Sequence, residues 1–121
     1  MKMLKLIVGP VIALALVGGA LAQDYPVKAV RVVLPYTPGS ATDIFGRLVC
    51  QKLSELWAQQ VLVDNRTGAG GSIGSAAVAK SPADGYTLLW NSNALVINAA
   101  LQKSLPYDPE KDFAPITGVV R

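Results

Sequence analysis

The sequence predicts an α/β fold in which a mostly parallel sheet carries helices on its faces. Three short apolar runs begin near residues 30, 61 and 86 and have the length and β-branched content of strands. The stretches between them are long enough for the crossover of about a dozen residues or more that parallel strands need. Strands alternating with helices in this way are typical of a parallel sheet covered on its faces.

Residues 1–22 have the organisation of a cleavable secretory signal peptide. Lys2 and Lys5 form a basic start, residues 6–17 are apolar apart from Gly9 and Pro10, and Ala20-Leu21-Ala22 fits a small-x-small cleavage site. A membrane anchor is the alternative, but a spanning helix needs about 20 consecutive apolar residues. The run here is shorter and is broken by glycines and a proline. We expect cleavage before Gln23 and a domain over residues 23–121.

Charge and composition exclude several classes of function. The chain has 11 Lys and Arg against 8 Asp and Glu, and without Lys2 and Lys5 the remaining charges are nearly balanced and scattered. Nucleic-acid binding therefore has no support. The absence of histidine excludes Ser–His, Cys–His and His–metal sites within this chain. Cys50 is the only cysteine and is expected to be a small buried hydrophobe inside a helix.

The first strand covers about residues 30–34 and ends at Pro35, which cannot continue a ladder. Pro38-Gly39 signals a turn, and Ser40, Thr42 and Asp43 are N-cap candidates for a helix over residues 42–57. Apolar residues recur there at three- and four-residue steps, which predicts one face packed on the sheet. Gly46 would allow close packing onto that sheet. The predicted apolar face comprises Ile44, Phe45, Leu48, Val49, Leu53, Leu56 and Trp57.

The remaining elements alternate in the same way. In order they are a strand at 61–63, a glycine-rich loop at 67–74, a small-residue helix through 76–79, a turn at 81–85, a strand at 86–90, a helix at 94–101 and an apolar run at 116–120.

Two of the predicted strand-to-helix connections are candidate anion sites, because the first amides of a helix lack partners and its N-terminus is positive. The first loop equally fits an ordinary capped turn, and the glycine loop fits a tight turn with positive φ. A dinucleotide-binding reading fails because the third glycine after Gly68 and Gly70 should stand at Ile73 and instead is Gly74. A Walker-type phosphate loop is absent because no Gly-Lys-Ser/Thr follows.

Four segments carry a family resemblance: Tyr25-Pro26 with residues 30–35, then residues 38–43, 64–74 and 83–89. They resemble, in order and spacing, the N-terminal part of the substrate-binding proteins of tripartite tricarboxylate transporters, the Bug-type periplasmic receptors. The resemblance implies a periplasmic binding protein-like fold with two α/β domains around a cleft, of which this chain holds only the first, and that incompletely. It implies a monomeric periplasmic receptor, not an enzyme, that needs no cofactor or metal.

The same resemblance implies the ligand and the site. Members bind small organic anions, typically carboxylates, and deliver them to membrane permease subunits. The loops after the first two strands line the cleft, with two residues after the third strand as weaker candidates. Carried over, the ligand-binding residues are Tyr36, Thr37, Pro38, Gly39, Ser40, Ala41, Thr42, Asp43, Gly68, Ala69, Gly70, Gly71, Ser72, Asn91 and Ser92.

Two departures from the family pattern leave alternatives open. Ser40 and Ala41 stand where the family commonly has small residues, often glycine. Their Cβ atoms restrict the conformations that the backbone can adopt. Family members are about two and a half times longer, so we expect a fragment, and a nonfunctional remnant is one alternative reading. A small α/β enzyme is the other, but its acidic candidates are only Asp43, Asp64 and Asp84, and Asp43 is better explained as an N-cap and Asp84 as a turn residue.

Overall fold

The computed structural model describes residues 24–119, so the predicted signal peptide and its cleavage site lie outside the described residues. Within that part no helix is long and apolar enough to cross a membrane. A short 3₁₀ turn, Ala69–Gly71, precedes the second helix. The main elements are β1 (Val30–Leu34), α1 (Ala41–Trp57), β2 (Val61–Asn65), α2 (Ser72–Ala79), β3 (Thr87–Leu89) and α3 (Ala94–Leu101).

The three described strands form one parallel sheet in the order β2-β1-β3. Val30 of β1 is in register with Val61 of β2, and Arg31 of β1 with Thr87 of β3. The predicted parallel sheet with flanking helices is thus confirmed. β1, the central strand, is almost completely buried because it has a neighbour on each side and a helix on each face.

The observed bounds differ from the predicted ones at the start of α2, which begins at Ser72 inside the predicted glycine-rich loop, and at the strand ends. β1 and α3 have the predicted bounds, whereas β2 continues two residues further, to Asn65, and β3 is confined to Thr87–Leu89. α1 begins at Ala41 because Ser40 is its N-cap, with Oγ accepting a hydrogen bond from the Asp43 amide. Of the three N-cap candidates, Ser40 therefore has that role.

The predicted apolar face of α1 is not its buried face. Its large apolar side chains are mostly exposed, including Phe45 at 56% and Leu56 at 78%, and the buried residues are Asp43, Gly46 and Cys50. Small residues face the sheet because the helix lies very close to it. A Cβ atom on Gly46 would lie 2.7 Å from Cδ2 of Leu34, so the predicted role of Gly46 in close packing is confirmed.

The core lies between β1 and α1. Val32, Leu34 and Cys50 are its buried centre, and Val61, Val63, Leu88 and Trp90 pack against it. Cys50 is 3% exposed, as predicted for a small buried hydrophobe. On the other face α2 approaches β1 through Gly74, where a Cβ atom would lie 2.9 Å from Cβ of Pro35. Both helices thus reach the end of β1 through glycines, which fixes the loops that follow the strands.

Candidate functional site

The carboxyl ends of all three strands open at one edge of the sheet. The β1–α1 connection (residues 35–40), the β2–α2 connection (66–71) and the β3–α3 connection (90–93) meet there. All the predicted ligand-binding residues lie in these three connections or in the first turn of α1 or α2. In parallel α/β sheets this edge is where ligands bind.

Asp43 fixes the shape of the first connection. It is 1% exposed, and its Oδ2 accepts hydrogen bonds from the Gly39 amide at 2.9 Å and from Nε of Arg47 at 3.0 Å. Its Oδ1 accepts one from Nδ2 of Asn65 at 2.7 Å. The Asn65, Gly39 and Arg47 hydrogen bonds, in that order of effect, lower the pKa of Asp43 to about 2. Asp43 is therefore an ionised, buried and fully engaged carboxylate that shapes the loop.

The rest of the first connection has no charged side chain, so a ligand there would meet mainly backbone groups. Thr37, Pro38, Gly39 and Ala41 are exposed, and Gly39 has a φ of +84° that favours glycine. The amides of Ala41 and Thr42 stand in the first turn of α1, where a helix supplies no acceptor for them. This turn can donate hydrogen bonds to an anion in a region that the helix dipole makes positive.

The glycine segment is a tight turn that needs left-handed backbone. Gly68, Gly70 and Gly71 have φ values of +118°, +65° and +92°, which bears out the tight-turn interpretation. Gly71 and Ser72 are buried, and residues 68–70 are exposed. Asn98 of α3 donates from Nδ2 to the carbonyl of Gly70 at 2.8 Å. The hydroxyl of Ser72 accepts from Asn98 and Gln102, so α3 holds this segment in place.

A chain of hydrogen bonds joins the three connections. The Tyr36 hydroxyl donates to Oδ1 of Asn91 at 2.7 Å and accepts from the Ser92 amide at 2.7 Å. Nδ2 of Asn91 donates to Oγ of Ser75 at 3.0 Å, and that hydroxyl donates to the carbonyl of Gly71 at 2.9 Å. Tyr36, Asn91 and Gly71 are thereby fixed relative to one another, although they belong to different connections.

Six of the fifteen predicted residues line one of two cavities, and the other nine line neither. A cavity of about 750 Å³ brings together Ala41, Thr42, Asn91 and Ser92. Ala69 and Ser72 of the glycine segment instead line a second cavity of about 430 Å³, beside α2 and α3. The structure thus brings the first turn of α1 and the third connection to one depression, which we call the α1 cavity, and places the glycine segment beside a different one.

Several lining residues of the α1 cavity were not predicted. Phe45, Leu89, Trp90, Asn93 and residues 117–119 contribute to its wall. The apolar spacing of α1 predicts Phe45 on a helix face rather than in a site, and Trp90 packs against the core as well as lining this cavity. The usable signal was the position of Phe45, one turn after the N-cap and so close to the strand ends. Among residues 24–119 no group of three or more Asp, Glu or Cys could hold a metal ion.

The amino-acid sequence of this chain is similar to those of known proteins. The family described as "Tripartite tricarboxylate transporter family receptor" matches residues 45–121. A UPF0065 protein of Bordetella bronchiseptica is 45% identical over 116 residues, covering 95% of this chain and 35% of the relative. Protein BugT of Bordetella pertussis is 38% identical over 122 residues, covering 98% of this chain and 37% of BugT. The chain thus spans about a third of the length of these relatives.

Solved structures share the fold. Periplasmic binding protein BugD superposes with a TM-score of 0.72 at 34% identity, over 76% of this chain and 31% of BugD. R. palustris Rpa4515 with adipate gives 0.69 at 39% identity, over 72% and 29%. MatC from Rhodopseudomonas palustris with bound malate gives 0.65 at 34% identity, over 75% and 31%.

Proposed function

The chain belongs to the tripartite tricarboxylate transporter receptor family, and on that premise we propose that it binds a small organic carboxylate for uptake. The α1 cavity is the proposed site. The observation that carries the proposal is that the first turn of α1, with Ala41 and Thr42, lines a cavity at the carboxyl edge of a parallel sheet. Two relatives of the same fold were solved with adipate and with malate, which are both carboxylates.

Binding would use the first turn of α1. A ligand carboxylate accepts hydrogen bonds from the amides of Ala41 and Thr42 and from the Thr42 hydroxyl, in the positive field of the helix terminus. Asp43 would repel a carboxylate, but its side chain is buried and bonded to Asn65, Gly39 and Arg47. We assign Asp43 to positioning the loop rather than to contact with the ligand. Water can bridge polar groups that the ligand does not reach directly.

The other predicted residues have supporting roles in this proposal. Tyr36 and Asn91 hold the first and third connections together through the 2.7 Å hydrogen bond between their side chains. The backbone of residues 68–70 is exposed and accessible to a ligand or to a further part of a longer receptor. Ser72 is 3% exposed and already bonded to α3, so its role is to fix the glycine segment.

The remaining proposals follow from the family. Residues 1–22 would direct export to the periplasm, and residues 23–121 would form the N-terminal part of a two-domain, monomeric receptor. That receptor would close over the carboxylate and deliver it to the membrane subunits of a tripartite transporter without chemical change. These proposals concern a receptor as long as the relatives, because the chain spans about a third of their length.

Thermal unfolding of the full chain tests the carboxylate site. A panel of mono-, di- and tricarboxylates is added, and an acid that binds the native state raises the midpoint, with a stabilisation of about 2.7 kcal/mol at 100 times its dissociation constant. NMR of the same mixture should show the acid unchanged, which separates binding from turnover. Thr42→Val should reduce the shift, whereas Thr87→Val, in β3, should not. A cooperative transition that no acid displaces would contradict the proposal.

A further inference from the structure

We propose that the α1 cavity selects carboxylates with an apolar body over carboxylates of the same length that carry hydroxyl groups. This inference rests on the proposed function, because it names the class of ligand that the same site prefers. It assigns Phe45 as a residue that determines specificity.

The wall of the α1 cavity includes aromatic and aliphatic side chains. Phe45, Leu89, Trp90 and Val119 all line the cavity, and none of its described lining residues is ionisable. Phe45 is 56% exposed, so its ring is accessible to a ligand in the cavity. A ligand body in this cavity would meet aromatic and aliphatic surface and no second charge. Removing water from such surface favours an apolar body.

The wall of the α1 cavity also has polar residues. The side-chain amide of Asn91 is hydrogen-bonded at both ends. Its Oδ1 accepts from the Tyr36 hydroxyl and the Ser92 amide, and its Nδ2 donates to the Ser75 hydroxyl. The Ser92 hydroxyl accepts from the Ala94 amide at 3.3 Å. Both residues use part of their hydrogen-bonding capacity to fix the connections, so less of it is left for hydroxyl groups of a ligand.

Three further polar side chains line the cavity, those of Thr42, Asn93 and Thr117, and the Thr117 hydroxyl donates to the carbonyl of Gly118 at 3.5 Å. Thr42 and the first-turn amides of α1 can hold a carboxylate, and Phe45 stands one turn further along the same helix. The side chains of Phe45, Leu89 and Val119 offer no hydrogen bond, so a body with several hydroxyl groups would lose hydrogen bonds to water where it lies against them. Burying unpaired hydroxyl groups is unfavourable, so a hydroxylated acid should bind more weakly than its unsubstituted counterpart.

Adipate and galactarate form a matched pair for the test, because both have six carbons and two terminal carboxylates and they differ by four hydroxyl groups. Calorimetric titration of the full chain with each acid gives the two dissociation constants. We expect adipate to bind at least about tenfold more tightly. Equal affinity, or tighter binding of galactarate, overturns the inference and leaves the proposed function intact. If a cooperatively folded chain binds neither acid nor any other carboxylate of the panel, the proposed function fails and the inference fails with it.

Phe45→Asn tests the assigned residue, and Leu48→Asn is the matched control. Leu48 is 54% exposed on the same helix and is not among the residues that line the cavity. We expect Phe45→Asn to lower the adipate preference at least about threefold and Leu48→Asn to leave it unchanged. Both positions are exposed, so neither change should prevent folding, and the unfolding transition of each variant verifies this. An unchanged preference in Phe45→Asn, or an equal loss in both variants, contradicts the role of Phe45.

Discussion

Asn65, the last residue of β2, donates a hydrogen bond of 2.7 Å from Nδ2 to Oδ1 of Asp43 in the first turn of α1. The same nitrogen donates to the carbonyl of Tyr36 at 3.1 Å, and Nη2 of Arg47 donates to Oδ1 of Asn65 at 2.6 Å. The first connection is therefore held from the neighbouring strand as well as from its own helix. This arrangement keeps the first-turn amides of α1 in place without a ligand.

Asp43 should make stability depend on pH in the acid range. Its pKa is lowered from 3.8 to about 2 by the hydrogen bonds from Asn65, Gly39 and Arg47. The unfolded state thus takes up the proton at higher pH than the folded state, so the contribution of Asp43 is fully present above about pH 4 and is lost as the pH falls through about 2. Asp43→Asn should be less stable at neutral pH and should lose less stability between pH 4 and pH 2.

Urea unfolding at several pH values between 2 and 7 measures this. Asp24→Asn serves as the control, because Asp24 is exposed and lies outside the Asp43 hydrogen bonds. The control should follow the pH dependence of the original chain. If Asp43→Asn and the original chain lose stability in parallel below pH 4, the role given to Asp43 is wrong.

Two tyrosine hydroxyls at opposite ends of the sheet allow stability and binding to be separated. Tyr36→Phe removes the hydrogen bonds to Asn91 and Ser92, and Tyr25→Phe removes one to the carbonyl of Gly85 at 2.6 Å. Each variant should lose about 0.5–1.5 kcal/mol of unfolding free energy. Only Tyr36→Phe should also weaken carboxylate binding, because Tyr36 joins two connections of the site. Equal affinities in the two variants would count against the Tyr36–Asn91 link.

Gly46→Ala should destabilise the chain although alanine is the better helix former. The added Cβ would lie 2.7 Å from Cδ2 of Leu34 and 3.2 Å from the Trp90 ring, so these buried or half-buried side chains or α1 itself would have to shift. We expect a loss of about 1–3 kcal/mol. Gly118→Ala, where no atom lies within 4 Å of the new Cβ, should change stability little. Equal denaturation midpoints for the two variants would show that α1 is not packed as closely as described.

Cys50 should react slowly with thiol reagents in the folded chain. Its side chain is 3% exposed, and burial raises the pKa of the thiol, so little thiolate is available. At pH 8 labelling of the native chain should be at least about a hundredfold slower than labelling in urea, because it requires local or global opening. Comparable rates in the two conditions would contradict the packing of α1 on the sheet.

The sequence was sufficient for the order and type of the elements, because those depend on local spacing. Residues 30–34 and 94–101 were predicted with their observed bounds. The buried face of α1 could not be found in this way, since periodicity counts large apolar residues whereas Gly46 and Cys50 face the sheet. For the same reason the spacing did not indicate Phe45 as a residue of the candidate site. The role of Asp43 was also inaccessible, because it depends on Asn65, which only the tertiary fold brings next to it.

The central position of β1 has a consequence for folding during synthesis. Val30 pairs with Val61 and Arg31 with Thr87, so both partners of the most buried strand are translated after it. Until β3 has left the ribosome, at least one edge of this apolar strand remains unpaired and open to aggregation. Such pairings have high contact order, because their partners are far apart in the sequence. They form slowly, because the entropy cost of closing the loop comes before the contacts form. The sheet should therefore assemble late and more slowly than a helical bundle of equal length.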